Sequence, residues 1–383
     1  MSWDDLTGQS EAVEILRAAA AGDGLTHSWL LTGPPGSGRS VLAYAFAAAL
    51  IATPGREAET EAQVAARTHP DLGVLTTEGV TILRQQVKDF VTQSYFSPSV
   101  GRYRVMVIED ADRMAELSSN VLLKALEEPP PRTVWILCAP SDADLLPTVR
   151  SRVRTVRLRV PGVDEVAELI SRRDGVSLPE AARAAREAQS HIGMAHRLAT
   201  NGEARARRAR TLELALGIRS VSGAVLAAAE LLEVAGADAK AITEERDAEE
   251  RESALRSLGV EPGGTVPPGL RGQLKSLEEE QKRRATRSLR DGLDRILVDL
   301  LSLYRDILLL QLGVGDDLVN LAIYSELELA ARGSTPAATL ATLDAITEAR
   351  TRIEGNVAPA LALEAMLVSA VRDPAPLRSE GPS

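Results

Sequence analysis

The stretch Gly33-Pro34-Pro35-Gly36-Ser37-Gly38-Arg39-Ser40 has the residue types needed to hold phosphate. Glycines let a backbone wrap an anion closely, and a helix opening after the loop adds N–H donors and the positive end of its dipole. A magnesium ligand belongs at the hydroxyl of Ser40. Arg39 stands where a lysine is usual, and its planar fork is no substitute for a flexible ammonium between terminal phosphates. The plain alternative is a tight strand-to-helix turn with no ligand. A second set of candidates, Glu109, Asp110 and Asp112, follows the apolar run Val105–Ile108. In loop-bound ATPases an Asp at the strand end helps hold magnesium and the Glu after it orients the attacking water. Here Glu109 precedes Asp110, so each carboxylate is one methylene from its expected reach. A misplacement of about 1 Å can cost on the order of 100-fold in rate. Solvated acids at a strand end are an equal alternative.

The elements that must position these groups follow from the hydrophobic pattern. Ser28–Thr32, Leu72–Thr76, Arg104–Glu109 and Thr133–Cys138 read as strands whose near-continuous apolar character needs cover on both faces. Helical spacing marks Gln9–Ala20, the alanine-rich stretch after the loop to about Ile51, Ile82–Gln93 and Ser118–Glu127. The last of these is stopped by Pro129, Pro130 and Pro131, which lack N–H donors. Strands alternating with helices predict an α/β domain with a parallel sheet over residues 1–160. Beyond Pro161, helices near Val163–Arg173, Pro179–Ala188 and Ile192–Thr200 form a small unit (161–202), with Ser177 placed to cap the second. Residues 203–372 read as all-helical, with one break at 262–269. The charged arms around that break suggest a solvated helical hairpin over 238–286. Ile296–Leu312 is apolar enough for a core, and 373–383 reads as a disordered tail.

Composition narrows the function classes. The 383 residues carry a net charge of −10, 44% hydrophobic and 26% charged residues. That balance suits a globular chain and not one that coats nucleic acid or an anionic membrane by bulk charge. Aromatics at 3% are too few for a base-stacking platform. With one cysteine, Cys138, neither an internal disulfide nor a thiolate zinc site can be built. Cys138 itself reads as a small buried hydrophobe. His191 and His196 flank Gly193 without partnering acids nearby in sequence, which makes a metal or catalytic role unexpected. Arg205, Arg207, Arg208 and Arg210 read as a solvated helix face with a minor chance of meeting DNA phosphate. No basic-then-apolar leader is visible, and the apolar run Val41–Ala52 falls short of the roughly 20 residues a membrane helix needs. A soluble, cytoplasmic protein is expected.

Four blocks, in order, carry a family resemblance: Trp3–Gln9, His27–Pro34, Asn120–Pro130 and Leu146–Arg152. Together with the phosphate loop they resemble the AAA+ clamp-loader subunits of DNA polymerase III over residues 3–160. The resemblance implies an AAA+ P-loop domain, a lid domain at 161–202 and a C-terminal collar, the last by class alone. It also implies a role for Ser151 and Arg152: in this family the Ser-Arg element faces a neighbouring subunit, where the arginine reaches the terminal phosphate of that subunit's ATP. Such an arginine supplied in trans is worth roughly 10³–10⁵ in rate in well-studied cases. If the segment is extended, Arg150, Arg152 and Arg154 share one face. The alternative is a surface arginine paired with a local acid.

Departures from the family pattern indicate which kind of member this is. Arg39, the inverted Glu109-Asp110 pair, and Ala139-Pro140 in place of a polar sensor are similar to a non-motor, stator-like subunit rather than to the gamma/tau motor. The four-cysteine zinc module common in such subunits has no counterpart between Thr53 and Pro70, so zinc is not expected. The family's second sensor implies an arginine near His191–Arg197, but Arg197 is out of register and no residue is assigned. The expected function is to complete a neighbour's active site within a heteropentamer that loads the sliding clamp onto primed DNA. Partners would be gamma/tau and delta subunits, the clamp, and DNA through the complex, with no membrane. No cofactor is required, residual ATP or ADP binding is possible, and ATPase of its own should be negligible. DNA-directed DNA polymerase activity would belong to the assembly. Two rivals remain: an active gamma/tau-type ATPase, and an adaptor unrelated to replication that recruits a partner through the charged hairpin.

Overall fold

The computed structural model describes residues 3, 6–77, 81–257, 271–315 and 317–371. Among them, contacts divide the chain into two compact units, 1–200 and 201–383. In the first, five strands form a parallel sheet: β1 (Ser28–Thr32), β2 (Leu72–Leu75), β3 (Arg104–Ile108), β4 (Thr133–Ala139) and β5 (Arg154–Arg157). Their order across the sheet is β2-β3-β4-β1-β5. Register is set by pairs such as Leu30 with Leu137 and Val107 with Ile136. β1 and β4 are buried along their whole length, which is why they read as unbroken apolar runs.

Side chains of successive strand residues point to opposite faces, so the sheet feeds two cores. Trp29, Leu31, Val107 and Ile136 pack on one side with Phe46 of α2 (Arg39–Ile51), and Trp29 meets the Phe46 ring edge-on at 5.4 Å. Leu30, Met106, Trp135 and Leu137 pack on the other with α4 (Arg84–Ser94) and α5 (Glu116–Glu127). α1 (Ser10–Ala20) buries Val13 and Leu16 in the first core. The fold class expected from the sequence, a parallel α/β P-loop domain followed by helical regions, is the one the chain adopts.

The region from Thr53 to Pro70 holds a helix, α3 (Glu57–Ala65), with Arg67 in left-handed backbone just beyond it. The idea of an extended arginine face fails here. Arg150 ends the one-turn helix α6 (Pro147–Arg150), Arg152 lies in the turn, and Arg154 opens β5. Pro147 starts that turn because its fixed φ suits a helix's first position. Helices α7 (Val163–Asp174), α8 (Leu178–Glu187) and α9 (Ile192–Thr200) complete this unit. Ser177 does occupy the N-cap position of α8, but its hydroxyl bonds the Glu180 carboxylate at 2.6 Å and caps no backbone N–H.

The second unit contains α10 (Gly202–Gly217), α11 (Val221–Ser257), α12 (Arg271–Gln311), α13 (Tyr324–Arg332), α14 (Pro336–Glu354) and α15 (Pro359–Ser369). Leu293, Leu297, Leu300, Leu303 and Ile307 of α12 recur at helical spacing and form the middle of its core. Leu312, past the helix, is exposed. The expectation of a single break is corrected: the chain also leaves the helix after Gly217, Gln311, Arg332 and Glu354. Asp306, fully buried between two of these segments, accepts hydrogen bonds from Val319 N–H and Asn320 N–H and ties the irregular stretch to α12. The arms of the anticipated hairpin lie in α11 and α12, while its 262–269 break and the 373–383 tail lie outside the described residues.

Candidate functional site

The phosphate loop leaves β1 at Thr32 and enters α2 at Arg39. It is held by backbone and one side chain. Gly33 N–H donates to the Pro140 carbonyl at 3.1 Å, and Ser37 N–H closes a turn onto Pro34. Gln9 spans from the Ser37 carbonyl (3.2 Å) to the Arg159 carbonyl (2.8 Å) and accepts from Arg159 N–H, locking the loop to the chain after β5. A Cβ at Gly33 would lie 2.7 Å from Ser37 Oγ and 2.9 Å from Leu158 Cβ, so only glycine fits. Gly36 and Gly38 have φ of +81° and +93°. The His191 ring packs directly on Gly36, where an added Cβ would meet it at 2.3 Å, and Ile192 N–H reaches the Gly36 carbonyl at 3.4 Å. Sequence reasoning weighed His191 for metal or catalysis alone; its place is the start of α9, seated on the loop.

At the carboxyl end of β3, Glu109 accepts from the Tyr44 hydroxyl, from Ser40 Oγ at 3.4 Å, and pairs with Arg67 at 2.7 Å. The Arg67 guanidinium also lies over the Tyr44 ring, 5.2 Å from its centroid. Burial and the adjoining Glu109 charge raise the Tyr44 phenol far above its usual range, so it donates and does not ionise. Arg67 was not foreseen, because its partners come from α2 and the end of β3. Asp110 accepts from Thr77 N–H at 3.3 Å. Asp112 is raised from its ordinary value, chiefly by burial and then by the Asp110 charge. Cys138 is fully buried, and burial pushes its thiol up to about 12, which leaves it an inert core residue. Ala139, also buried, brings no polar side chain to the end of β4.

A magnesium ion implied by the loop would need the Ser40 hydroxyl and the Glu109 carboxylate. The hydroxyl keeps its lone pairs while donating to Glu109, but the carboxylate is committed to a permanent cation, so the acid half of that position does not fit the ion. The anion-binding half is different. Ser37 is 2% exposed and its Oγ has no hydrogen-bond partner among the described residues, and Arg39 Nη1 is likewise buried without one. The arrangement can accept phosphate oxygens, but it supplies no metal position.

Ser151 and Arg152 lie apart from this loop in their bonding. Arg152 Nε donates to Glu127 Oε1 at 2.6 Å, and Nη1 donates to the Thr148 carbonyl at 2.7 Å and to Ser151 Oγ at 3.1 Å. Arg150 is exposed. Arg154 donates to the Gly24 carbonyl and lies over the Trp29 ring at 4.9 Å, a packing role. His196 pairs with Asp174 at 2.7 Å, an acid 22 residues away in sequence. No group of three or more His, Cys, Asp or Glu suited to a metal occurs among the described residues. The arginine face on α10 is corrected in part. Arg208 is 9% exposed, bonded to Asp299 and Asn320, and Arg207 turns to Asp238, whereas Arg210 stays outside with Glu213 and Glu230. No described helix is long and apolar enough to cross a membrane.

A parallel sheet with a glycine loop between β1 and α2 and acids at the end of β3 defines an α/β P-loop domain. Residues 8–161 match the family described as DNA polymerase III, delta subunit. Over 154 residues the chain is 36% identical to DNA polymerase III subunit delta' of Pseudomonas aeruginosa, covering 38% of this chain and 47% of that protein. Over 220 residues it is 25% identical to subunit delta' of Bacillus subtilis, covering 56% and 66%. Over 190 residues it is 24% identical to subunit gamma/tau of Mycobacterium tuberculosis, covering 47% and 33%. The chain spans about half the length of the curated relatives it matches first. Over residues 8–161 it is similar to the clamp-loader subunits of DNA polymerase III. A gamma subunit-related protein of Thermotoga maritima aligns over 94% of this chain and 98% of its own, with 17% identity and a TM-score of 0.42, too slight a likeness to carry weight.

Proposed function

We propose that this chain is the non-motor, delta prime-type subunit of a DNA polymerase III clamp loader. In that role it holds a neighbouring gamma/tau motor in place and supplies Arg152 to the terminal phosphate of that motor's ATP. It works within a heteropentamer, with delta as a further partner, that places the sliding clamp on primed DNA. The observation that carries this reading is the state of Glu109. The carboxylate a motor needs for its ion is bound by Arg67, Tyr44 and Ser40. Arg152, by contrast, has its partners at the protein surface. A trans arginine asks nothing of the subunit's own nucleotide pocket, so the two features are compatible. Ser151 then helps set the direction of the guanidinium through its contact with Nη1.

The relatedness to gamma/tau subunits favours one rival, an active motor. Turnover of ATP by the isolated chain separates the two. Assembly is tested by mixing the purified chain with gamma/tau and delta subunits and following size-exclusion chromatography. Co-elution in one complex is expected, and a chain that elutes alone under conditions where the others assemble overturns the reading.

A further inference from the structure

A glycine loop of this kind ordinarily holds the phosphates of a nucleotide together with a divalent ion. Here the position that would hold the ion is spoken for. A carboxylate offers about four lone-pair directions, and Glu109 already faces the Tyr44 hydroxyl, Ser40 Oγ and the Arg67 guanidinium. Arg67 is a fixed resident. Its guanidinium lies over the Tyr44 ring, and its backbone φ of +58° closes the C-terminus of α3, where Arg67 N–H and Thr68 N–H return to the Val64 and Gln63 carbonyls. Meanwhile the anion side of the pocket keeps two buried groups without partners among the described residues, Ser37 Oγ and Arg39 Nη1, beside a loop whose glycines retain positive φ.

We propose that this pocket binds the phosphates of a nucleotide without a divalent cation, Arg67 cancelling the Glu109 charge that the ion would otherwise offset. Arginine is permanently charged and presents forked N–H donors that match phosphate oxygens. With Glu109 compensated by Arg67, the carboxylate that would otherwise repel a phosphate is neutralised in place. The Nη1 of Arg39 gains the acceptor it lacks. No bond is made or broken, so such a nucleotide is a structural ligand of the subunit. The inference does not rest on the role of Arg152 or on assembly with other subunits.

The test uses the full chain and ADP as probe, titrated calorimetrically in magnesium and then in EDTA. Binding should be at least as tight in EDTA as in magnesium, where the ion competes with the site for the ADP phosphates. Arg67→Gln, half-exposed at its side chain and so compatible with folding, should weaken binding in EDTA by about tenfold, because Glu109 is then left uncompensated beside the phosphates. Electron paramagnetic resonance of added manganese should show no ion held by the protein–ADP complex beyond what ADP alone binds in solution. Binding that requires magnesium, an Arg67→Gln variant equal to wild type, manganese held by the protein–ADP complex, or a folded wild-type chain that binds no ADP would each overturn the proposal.

Discussion

Arg152 Nε lies 2.6 Å from Glu127 Oε1, so the arginine at the end of one sequence block is held by the acid that ends α5 in another. Both side chains are partly exposed, at 33% and 46%. Ion pairs at such positions contribute about 0–1 kcal/mol, which lets a phosphate with higher charge compete for the guanidinium. Glu127→Gln is therefore expected to lower the stability of the isolated chain by less than about 1 kcal/mol. Urea denaturation of wild type and variant checks it, and a loss of several kcal/mol would make the pair a structural fixture instead.

Purified alone, the chain should hydrolyse ATP negligibly, and Arg39→Lys should not restore turnover. Restoring the lysine leaves Glu109 bound to Arg67 and Tyr44. Steady-state phosphate release measures both proteins. Robust turnover by either would show that the carboxylate can be freed for an ion.

Asp71 provides a pH-dependent prediction. It is fully buried and accepts from Ser99, Val100 and Gly101 N–H and from Ser99 Oγ. Burial alone would raise its pKa, but the N–H groups of Gly101, Ser99 and Val100 together bring it below the ordinary 3.8. A depressed carboxylate adds stability that is complete above its unfolded value and disappears as pH falls through the folded one. Asp71→Asn should cost about 2 kcal/mol near neutral pH. That difference should hold down to about pH 5 and shrink below 3.8 as the wild-type carboxylate protonates. Denaturation curves across that range test the sign.

Two arginines on one helix should behave differently. Arg208 is buried with Asp299 and Asn320, so Arg208→Ala leaves those groups without their cation and should destabilise the second unit by about 3 kcal/mol. Arg210, exposed beside Glu213 and Glu230, should be replaceable by alanine with little change in melting temperature. Equal effects would mean that the α10 face is solvated throughout.

The contrast between these arginines also shows what sequence can and cannot convey. β1, β3 and β4 were legible because strands buried on both faces carry long apolar runs, and the loop was legible because glycines and a following helix sit next to one another. β5 was not: Arg-Thr-Val-Arg at the sheet edge buries Val156 alone and has no apolar run to detect. Arg207 and Arg208 read as surface charge because their acids, Asp238 and Asp299, come from other helices. Arg67 was missed for the same reason. Its importance depends on Glu109 and Tyr44 arriving beside it when the sheet forms, and local sequence carries no trace of that meeting. The Arg152–Glu127 pair lies between: each residue was in a recognised block, but their contact exists only once α5 and α6 pack.

The most direct test of the proposed role is clamp-stimulated ATP hydrolysis by a reconstituted complex carrying Arg152→Ala. The variant should fold, enter the complex and leave hydrolysis measurably reduced, with less than the full ~10³-fold loss because other motor sites remain intact. Arg152→Lys should rescue poorly, since an ammonium cannot reproduce the forked contact. Arg150→Ala, at an exposed position two residues away, should match wild type. Equal hydrolysis by the Arg152→Ala and wild-type complexes would contradict a trans arginine and leave this subunit a scaffold.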